Sequence, residues 1–157
     1  MKKPVVVLLI MVPGKRRRAL AANLERAGLE TLSASNCRGA RELLRIRPDI
    51  AVAVTDLTLA DGNWRDLLEY TIHRDVQTSV VVVSPVGGER LWSEVLWRGA
   101  HDLLVEPFEG LEIRRAVESA ERAARAAEYG ARGAGLLRPP PARLSLGSDQ
   151  PGSRARA

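Results

Sequence analysis

Long apolar runs rich in β-branched residues are the feature that most limits how this sequence can fold. Residues 5–12 read VVVLLIMV, residues 50–55 read IAVAVT and residues 79–84 read SVVVVS, and each run is followed by proline or aspartate. Runs of this kind, without regular alternation of polar residues, are typical of strands that are covered on both faces of a parallel sheet. The sequence therefore predicts a buried parallel sheet.

Helical stretches separate the apolar runs. Between the first two runs, for example, Ala19, Leu20 and Leu24 recur at helical spacing before Gly28, a residue that commonly ends a helix. The predicted strands are 5–12, 30–34, 50–55, 79–84 and 102–105, and the predicted helices are 15–27, 36–46, 63–73, 89–98 and 108–128. Strands that alternate with crossover helices predict an α/β fold with a five-stranded, doubly wound parallel sheet of the flavodoxin type.

Charge and composition divide the chain into two segments. Residues 1–128 contain 19 Lys and Arg against 18 Asp and Glu, whereas residues 129–157 contain five Arg against Asp149 alone. The second segment is rich in Gly, Pro and Arg and lacks hydrophobic periodicity. We therefore predict a folded domain at 1–128 and a disordered basic tail at 129–157. The net charge of +5 comes mostly from the tail, which argues against a nucleic-acid-binding face on the domain.

The remaining motifs argue against a membrane span, a metal centre or an enzyme. The first apolar run has only eight residues, which is too short for a membrane helix. The single Cys37 cannot form an internal disulfide and has no metal-ligand spacing to His73 or His101. Neither a phosphate-binding loop, a dinucleotide fingerprint nor a nucleophile elbow follows a predicted strand. We expect a cytoplasmic, non-enzymatic protein without a metal cofactor.

Functional groups in doubly wound sheets lie at the carboxyl ends of the strands, and five segments of the chain carry a family pattern there and nearby. These are 24–28 (LERAG), 56–62 (DLTLADG), 81–84 (VVVS), 98–100 (RGA) and 105–108 (VEPF). In this order and spacing, over residues 4–126, they resemble the receiver domain of bacterial two-component response regulators. The resemblance implies a signalling domain whose partner is a histidine kinase or a downstream effector.

The resemblance also implies roles for two residues at the strand ends. Asp56 matches the aspartate that accepts a phosphoryl group from the kinase, and Ser84 matches the hydroxyl that contacts the phosphoryl oxygens. In the family, Mg²⁺ is bound by the acceptor aspartate and two acids after the first strand. From the residues alone, Asp56 could equally be a turn former, and Ser84 before Pro85 could simply cap its turn.

Three positions depart from the family pattern. Met11 and Val12 stand where the acid pair is expected, and neither side chain offers the oxygen ligands that Mg²⁺ requires. Glu106 stands where the family has a lysine that pairs with the phosphoryl group. A cation that would attract the phosphoryl group is thus replaced by an anion that should repel it. At about 5 Å and an effective dielectric of about 20, one such charge pair is worth roughly 3 kcal/mol. We expect poor phosphotransfer and no Mg²⁺ binding.

A basic run at the start of the first helix could compensate for these losses. Lys15 or Arg16 could pair with Asp56 or Glu106 across the strand ends, substitute for Mg²⁺ and hold the domain in one state without phosphate. The alternative is a solvated basic face with no role in the pocket.

The predicted fourth helix carries two tryptophans near its outer edge. Trp92 and Trp97 could fold down over the sheet edge, or could anchor a protein partner. In receiver domains the fourth helix, fifth strand and fifth helix form a common dimer or effector face, so a homodimer through this face is a further possibility.

The sequence thus favours a pseudo-receiver with a degenerate phosphoacceptor pocket that works by protein–protein contact. Two alternatives stay open: a phosphorylatable single-domain response regulator that uses Asp56, and a nucleic-acid-associated adaptor that uses the arginine-rich tail.

Overall fold

Strands and helices alternate through residues 3–74 and 76–133, which are the part of the chain that the computed structural model describes. The strands are β1 (Val6–Ile10), β2 (Glu30–Ala34), β3 (Ile50–Asp56), β4 (Thr58–Leu59), β5 (Gly62–Asn63), β6 (Ser79–Ser84) and β7 (Asp102–Val105). The helices are α1 (Lys15–Arg26), α2 (Cys37–Ile46), α3 (Trp64–His73), α4 (Glu89–Trp97) and α5 (Gly110–Gly133).

The five long strands form one parallel sheet in the order β2-β1-β3-β6-β7. This arrangement confirms the predicted five-stranded, doubly wound α/β fold. The short strands β4 and β5 form an antiparallel hairpin directly after β3, where the sequence predicted only a loop. Two-residue strands are too short to produce a readable alternation of apolar and polar residues, so the hairpin left no pattern to detect.

Helices cover both faces of the sheet and bury separate parts of the core. On one face α2, α3 and α4 pack with Trp64 and Val95 against the sheet, and on the other α1 and α5 pack with Leu24 and Ile113. All four side chains are at most 2% exposed. The sheet is therefore buried on both sides, as its continuous apolar strands require.

The N-terminus of α2 is capped from a distant loop. The two carboxylate oxygens of Asp61 accept hydrogen bonds from the backbone N–H of Cys37 (2.7 Å) and of Arg38 (3.0 Å). Burial, together with the nearby Asp61 carboxylate, raises the pKa of the Cys37 thiol to about 11. The loop after β3 is thereby fixed to α2, and Cys37 is held as a neutral thiol.

The last helix is longer than the sequence predicted. It ends at Gly133 rather than near Glu128, because the Ala-, Arg- and Glu-rich run before Glu128 has high helix propensity and a single glycine at 130 costs only about 1 kcal/mol. The rest of the predicted tail, residues 134–157, lies outside the described residues, as does any nucleic-acid contact it would make. In the described part of the chain, no helix has the length and apolar character needed to cross a membrane.

Truncating Ile113 should destabilise the domain strongly. Ile113 is fully buried between α5 and the sheet, whereas Leu111 on the same helix is 51% exposed. We expect Ile113→Ala to lower the free energy of unfolding by about 3 kcal/mol, through lost burial and a residual cavity. The control Leu111→Ala should change it by less than about 0.5 kcal/mol. Urea unfolding followed by circular dichroism measures both, and equal effects would contradict the packing of α5.

Cys37 should react slowly with iodoacetamide in the native protein. At a given pH below 9, raising a thiol pKa from 9.0 to about 11 lowers the thiolate fraction about 100-fold, and burial slows access further. The native alkylation rate should keep rising with pH up to about 11, whereas the rate in guanidinium chloride should level off near 9. Mass spectrometry of the adduct gives both rates, with Cys37→Ser as the blank. A native rate that levels off near pH 8 would contradict the raised pKa.

Candidate functional site

The predicted site residues meet at the carboxyl edge of the parallel sheet. Asp56 is the last residue of β3 and Ser84 the last of β6, while Met11 and Glu106 directly follow β1 and β7. Because β1, β3, β6 and β7 are consecutive neighbours in the sheet, these residues lie along one edge. This edge is where doubly wound sheets place their functional groups.

Arg16, in the first turn of α1, bridges the two carboxylates of this edge. Its Nη1 lies 2.7 Å from Asp56 Oδ2 and its Nη2 lies 3.1 Å from Asp56 Oδ1. Its Nε lies 3.0 Å from Glu106 Oε1, which is also 3.0 Å from Nη2. One planar guanidinium thus pairs along two of its edges with two acids, a geometry that the compact ammonium of lysine cannot reproduce.

The other basic residues of this turn do not join the bridge. Arg17 donates from Nη1 to the backbone oxygen of Met11 (3.3 Å) and to Ser35 Oγ (3.2 Å). Lys15 is exposed and forms no ion pair with Asp56 or Glu106. The first turn of α1 contains no acid, and no side chain caps its N-terminus. Its cations therefore lie at the positive end of the helix dipole without an anion from the same helix to balance them. The carboxylates of Asp56 and Glu106 supply the missing negative charge.

The bridge is partly shielded from water. The side chain of Asp56 is 11% exposed, that of Glu106 24% and that of Arg16 42%. Hydrogen bonding to Asp56, and secondarily to Glu106, raises the pKa of the Arg16 guanidinium further above its usual range. Arg16 is therefore a permanent cation between two acids, and the three side chains together carry a net charge of −1 when both acids are ionised.

Both oxygens of the Asp56 carboxylate are occupied. Oδ1 accepts hydrogen bonds from Arg16 Nη2 and from the backbone N–H of Leu57 (2.9 Å), and Oδ2 accepts from Arg16 Nη1. Arg16 therefore makes a hydrogen bond to each oxygen of the carboxylate that the family pattern assigns as the phosphoacceptor.

Ser84 makes its hydrogen bonds within its own loop. Its side chain is fully buried, Oγ donates to the backbone oxygen of Val86 (2.5 Å), and Oγ accepts from the backbone N–H of Val86 (3.0 Å). The hydroxyl closes a local turn in this conformation and does not contact Asp56.

Met11 and Val12 place apolar groups after β1. Met11 is 1% exposed and packs in the core between the sheet and α1, whereas half of the Val12 side chain is exposed. Asp56 and Glu106 are the carboxylates that the described structure brings together at this edge, and both pair with Arg16. Within the described residues, no group of three or more His, Cys, Asp or Glu is arranged to hold a metal ion.

The two tryptophans of α4 have different surroundings. Trp92 is half-buried and packs against the core on the α2–α3–α4 face. Trp97 is 88% exposed and lies beside α3, where Ile72 is 49% exposed. The sequence placed both at the outer edge of α4, but the structure brings only Trp97 to an open surface.

An ion-pair cluster next to Trp97 was only partly predictable from the sequence. Arg65 on α3 and Arg98 after α4 both pair with Glu94 of α4. The pair of Glu94 and Arg98 at i,i+4 is readable from helical spacing. Arg65 is 29 residues away from Glu94 in the chain, and only the packing of α3 beside α4 joins them.

Comparison with known proteins supports the family that the strand-end residues indicate. The chain is 36% identical over 106 residues to the response regulator protein PilR of Pseudomonas aeruginosa, which covers 68% of this chain but 24% of PilR, so the chain spans about a quarter of that relative. It is 26% identical over 118 residues to the chemotaxis protein CheY of Thermotoga maritima, covering 74% of this chain and 97% of CheY. No family model matches.

The fold agrees with solved receiver structures. The receiver domain of a LuxO repressor protein from Vibrio parahaemolyticus superposes with a TM-score of 0.72 at 20% identity, covering 81% of this chain and 97% of that one. The order of the sheet, the position of Asp56 at the end of β3 and the similarity to PilR and CheY lead to one conclusion: this chain belongs to the receiver-domain family of two-component response regulators.

Proposed function

We propose that this receiver domain is a pseudo-receiver that signals by protein–protein contact, with Arg16 holding the strand ends in one state without phosphate. The observation that carries the proposal is the double ion pair from Arg16 to Asp56 and Glu106. The arginine occupies both oxygens of the acceptor carboxylate, so the domain has an internal cation where a receiver would take up an external group.

The charges at the strand ends support this proposal. A phosphoryl group on Asp56 would add about 1.5 to 2 negative charges beside Glu106. It would have to displace Arg16 from Asp56, or share the arginine with Glu106. Glu106 is only 24% exposed, so water screens its repulsion of the phosphoryl group incompletely. Phosphorylation would be opposed by charge at the position where the family pattern supplies a cation.

The donor groups also support a pocket that works without Mg²⁺. Mg²⁺ prefers octahedral coordination by oxygen, and the residues after β1 offer a thioether and an isopropyl group. The two acids present are already neutralised in part by Arg16. We therefore propose a domain that binds no magnesium, catalyses no reaction and acts in the cytoplasm through a protein partner, either a histidine kinase or a downstream effector.

A homodimer is one form that such contact could take. Val105 at the end of β7 and Leu111 in the first turn of α5 are apolar and 39% and 51% exposed. They belong to β7 and α5, two of the three elements whose face the family resemblance associates with dimer or effector contacts. These exposed apolar side chains are the feature that favours that arrangement.

A small phosphodonor should leave the protein unmodified. We expect no phosphate adduct after incubation with acetyl phosphate and Mg²⁺, because Arg16 covers Asp56 and Glu106 repels the incoming group. Intact-protein mass spectrometry compares the native chain with Asp56→Asn, and a PilR-type receiver serves as the positive control. An adduct present in the native chain and absent from Asp56→Asn would overturn the proposal and establish the alternative, a phosphorylatable response regulator.

Removing the arginine should destabilise the fold in a salt-dependent way. We expect Arg16→Ala to lower the free energy of unfolding by about 1 kcal/mol at low salt, since two neighbouring carboxylates lose their shared cation. The matched control is Arg18→Ala, because Arg18 lies in the same turn and forms no ion pair with a described residue. Its effect should stay within about 0.5 kcal/mol.

Urea unfolding at low ionic strength and in 1 M NaCl separates the electrostatic part of this change in the free energy of unfolding. Salt at about 1 M reduces the screening length to about 3 Å and so weakens the ion pairs. The difference between Arg16→Ala and the native chain should shrink in salt. Equal effects of the two substitutions would show that Arg16 does not hold the strand ends together.

A further inference from the structure

A groove runs between α3 and α4 on the face of the domain opposite α1 and α5. It has a volume of about 400 Å³, with buried Leu68 among its lining residues. Ile72 of α3 and Trp97 of α4 also line it, and they are 49% and 88% exposed. A tryptophan exposed to this degree beside a second exposed apolar side chain forms an apolar surface of the kind that anchors protein partners.

Two arginines at the groove share a single carboxylate. Glu94 Oε2 accepts from Arg65 Nε at 2.8 Å and from Arg98 Nε at 3.0 Å. The three side chains carry a net charge of +1, and the arginines are 40% and 45% exposed. A second carboxylate supplied from outside would complete the pairing of this cluster. Glu69 of α3 is the other charged side chain among the lining residues. It is exposed, is not paired with either arginine, and brings the net charge of the lining to zero, so the unmet pairing is local to Arg65 and Arg98.

Both walls of the groove are rigidly attached to the core. Trp64 at the start of α3 is 2% exposed, and the Arg65 guanidinium lies over its ring at 5.1 Å from the centroid. Val95 and Leu96 fix α4 and are at most 4% exposed. The two helices are therefore fixed before any partner binds, and the ion pairs with Glu94 hold both arginines, which lowers the entropy cost of binding.

The groove is long enough for two turns of a helix and offers no backbone partners to an extended strand. Arg65, Leu68 and Ile72 lie at i, i+3 and i+7 on one side of α3, so the lining covers about 10 Å, or two helical turns. No sheet edge borders the groove in the described structure, so an extended peptide would find no backbone partners there. A helix satisfies its own backbone hydrogen bonds and can place an apolar and an acidic residue on one face.

We propose that the α3–α4 groove binds an amphipathic helix of a partner protein, with an apolar side chain against Trp97 and Ile72 and a carboxylate on Arg65 and Arg98. This proposal rests on the proposed function, since it names the partner of a domain that acts by protein contact. The partner would then contact the side of α4 that faces α3, and not the face formed by α4, β7 and α5.

The test uses a synthetic, stapled helical peptide of about 15 residues that carries a Leu and Phe stripe flanked by glutamates. A twin peptide has lysines in place of the glutamates. Affinity is measured by fluorescence anisotropy with the full chain, and the contact is located by the tryptophan indole signals in ¹⁵N-¹H NMR spectra. We expect the acidic peptide to bind, the Trp97 indole signal to shift and that of Trp64 to stay in place.

Three variants make the test specific. Trp97→Ala and the charge reversal Arg98→Glu should each weaken binding at least about tenfold, as expected for an aromatic anchor and for its ionic partner. Leu111→Ala removes an apolar side chain of α5 that is exposed to the same degree as Ile72 of the groove, 51% against 49%, and should change affinity less than about twofold. Because Trp97 and Arg98 are exposed, the far-ultraviolet circular dichroism of both variants should match that of the native chain.

Several outcomes would overturn the proposal: equal binding of the lysine twin, equal loss in Leu111→Ala, or no binding of the acidic peptide at about 1 mM. Sedimentation that shows a dimer abolished by Trp97→Ala would also overturn it and assign the groove to a second copy of this chain. The phosphate assay is independent. An Asp56 adduct together with peptide binding would refute the pseudo-receiver but support the groove as a binding site. No adduct together with no peptide binding would support the pseudo-receiver but refute the groove.

Discussion

One guanidinium between two carboxylates links the strand ends of this domain to its first helix. Without Arg16, Asp56 and Glu106 would stand near each other as two partly buried acids with no cation between them. With it, the ends of β3 and β7 are tied to the first turn of α1, and the basic turn gains the anions that its helix dipole favours. Arg16 lies 40 positions before Asp56 and 90 positions before Glu106 in the chain, so this interaction is long-range in sequence.

The departures from the receiver pattern are chemically consistent with one another. Glu106 reverses the charge at the position of the lysine, and Arg16 restores a cation from the opposite side of the pocket. Met11 and Val12 remove two acids, which lowers the negative charge that a metal ion would otherwise balance. Each change alone would leave an unbalanced pocket, whereas together they leave a pocket whose own cation bridges its two acids. This mutual consistency favours a pseudo-receiver over a receiver damaged by a single substitution.

The fold was readable from the sequence because continuous apolar runs separated by amphipathic helices admit few architectures. Asp56, Ser84 and Glu106 could also be placed at strand ends, since strand ends follow directly from the runs. The choice between Lys15 and Arg16 could not be made, because neighbouring helical residues point about 100° apart and the phase of α1 depends on its packing. The local turn of Ser84 was one of two alternatives that the sequence offered, and only the loop conformation decides between them. The pairing of Arg65 with Glu94 depends on how α3 packs beside α4, which no local pattern encodes.

A short segment of the chain, residues 56–65, joins the strand-end cluster to the α3–α4 groove. From Asp56 the chain passes through the β4–β5 hairpin, and the backbone N–H of Trp64 donates to the backbone oxygen of Leu57 at 3.1 Å. The next residue is Arg65 of the groove, and Asp61 within the same loop caps α2. Arg16 pairs with Asp56 at the start of this segment, and Arg65 pairs with Glu94 at its end. If both proposals hold, a groove that is formed without phosphate is the expected counterpart of a pocket that supplies its own cation.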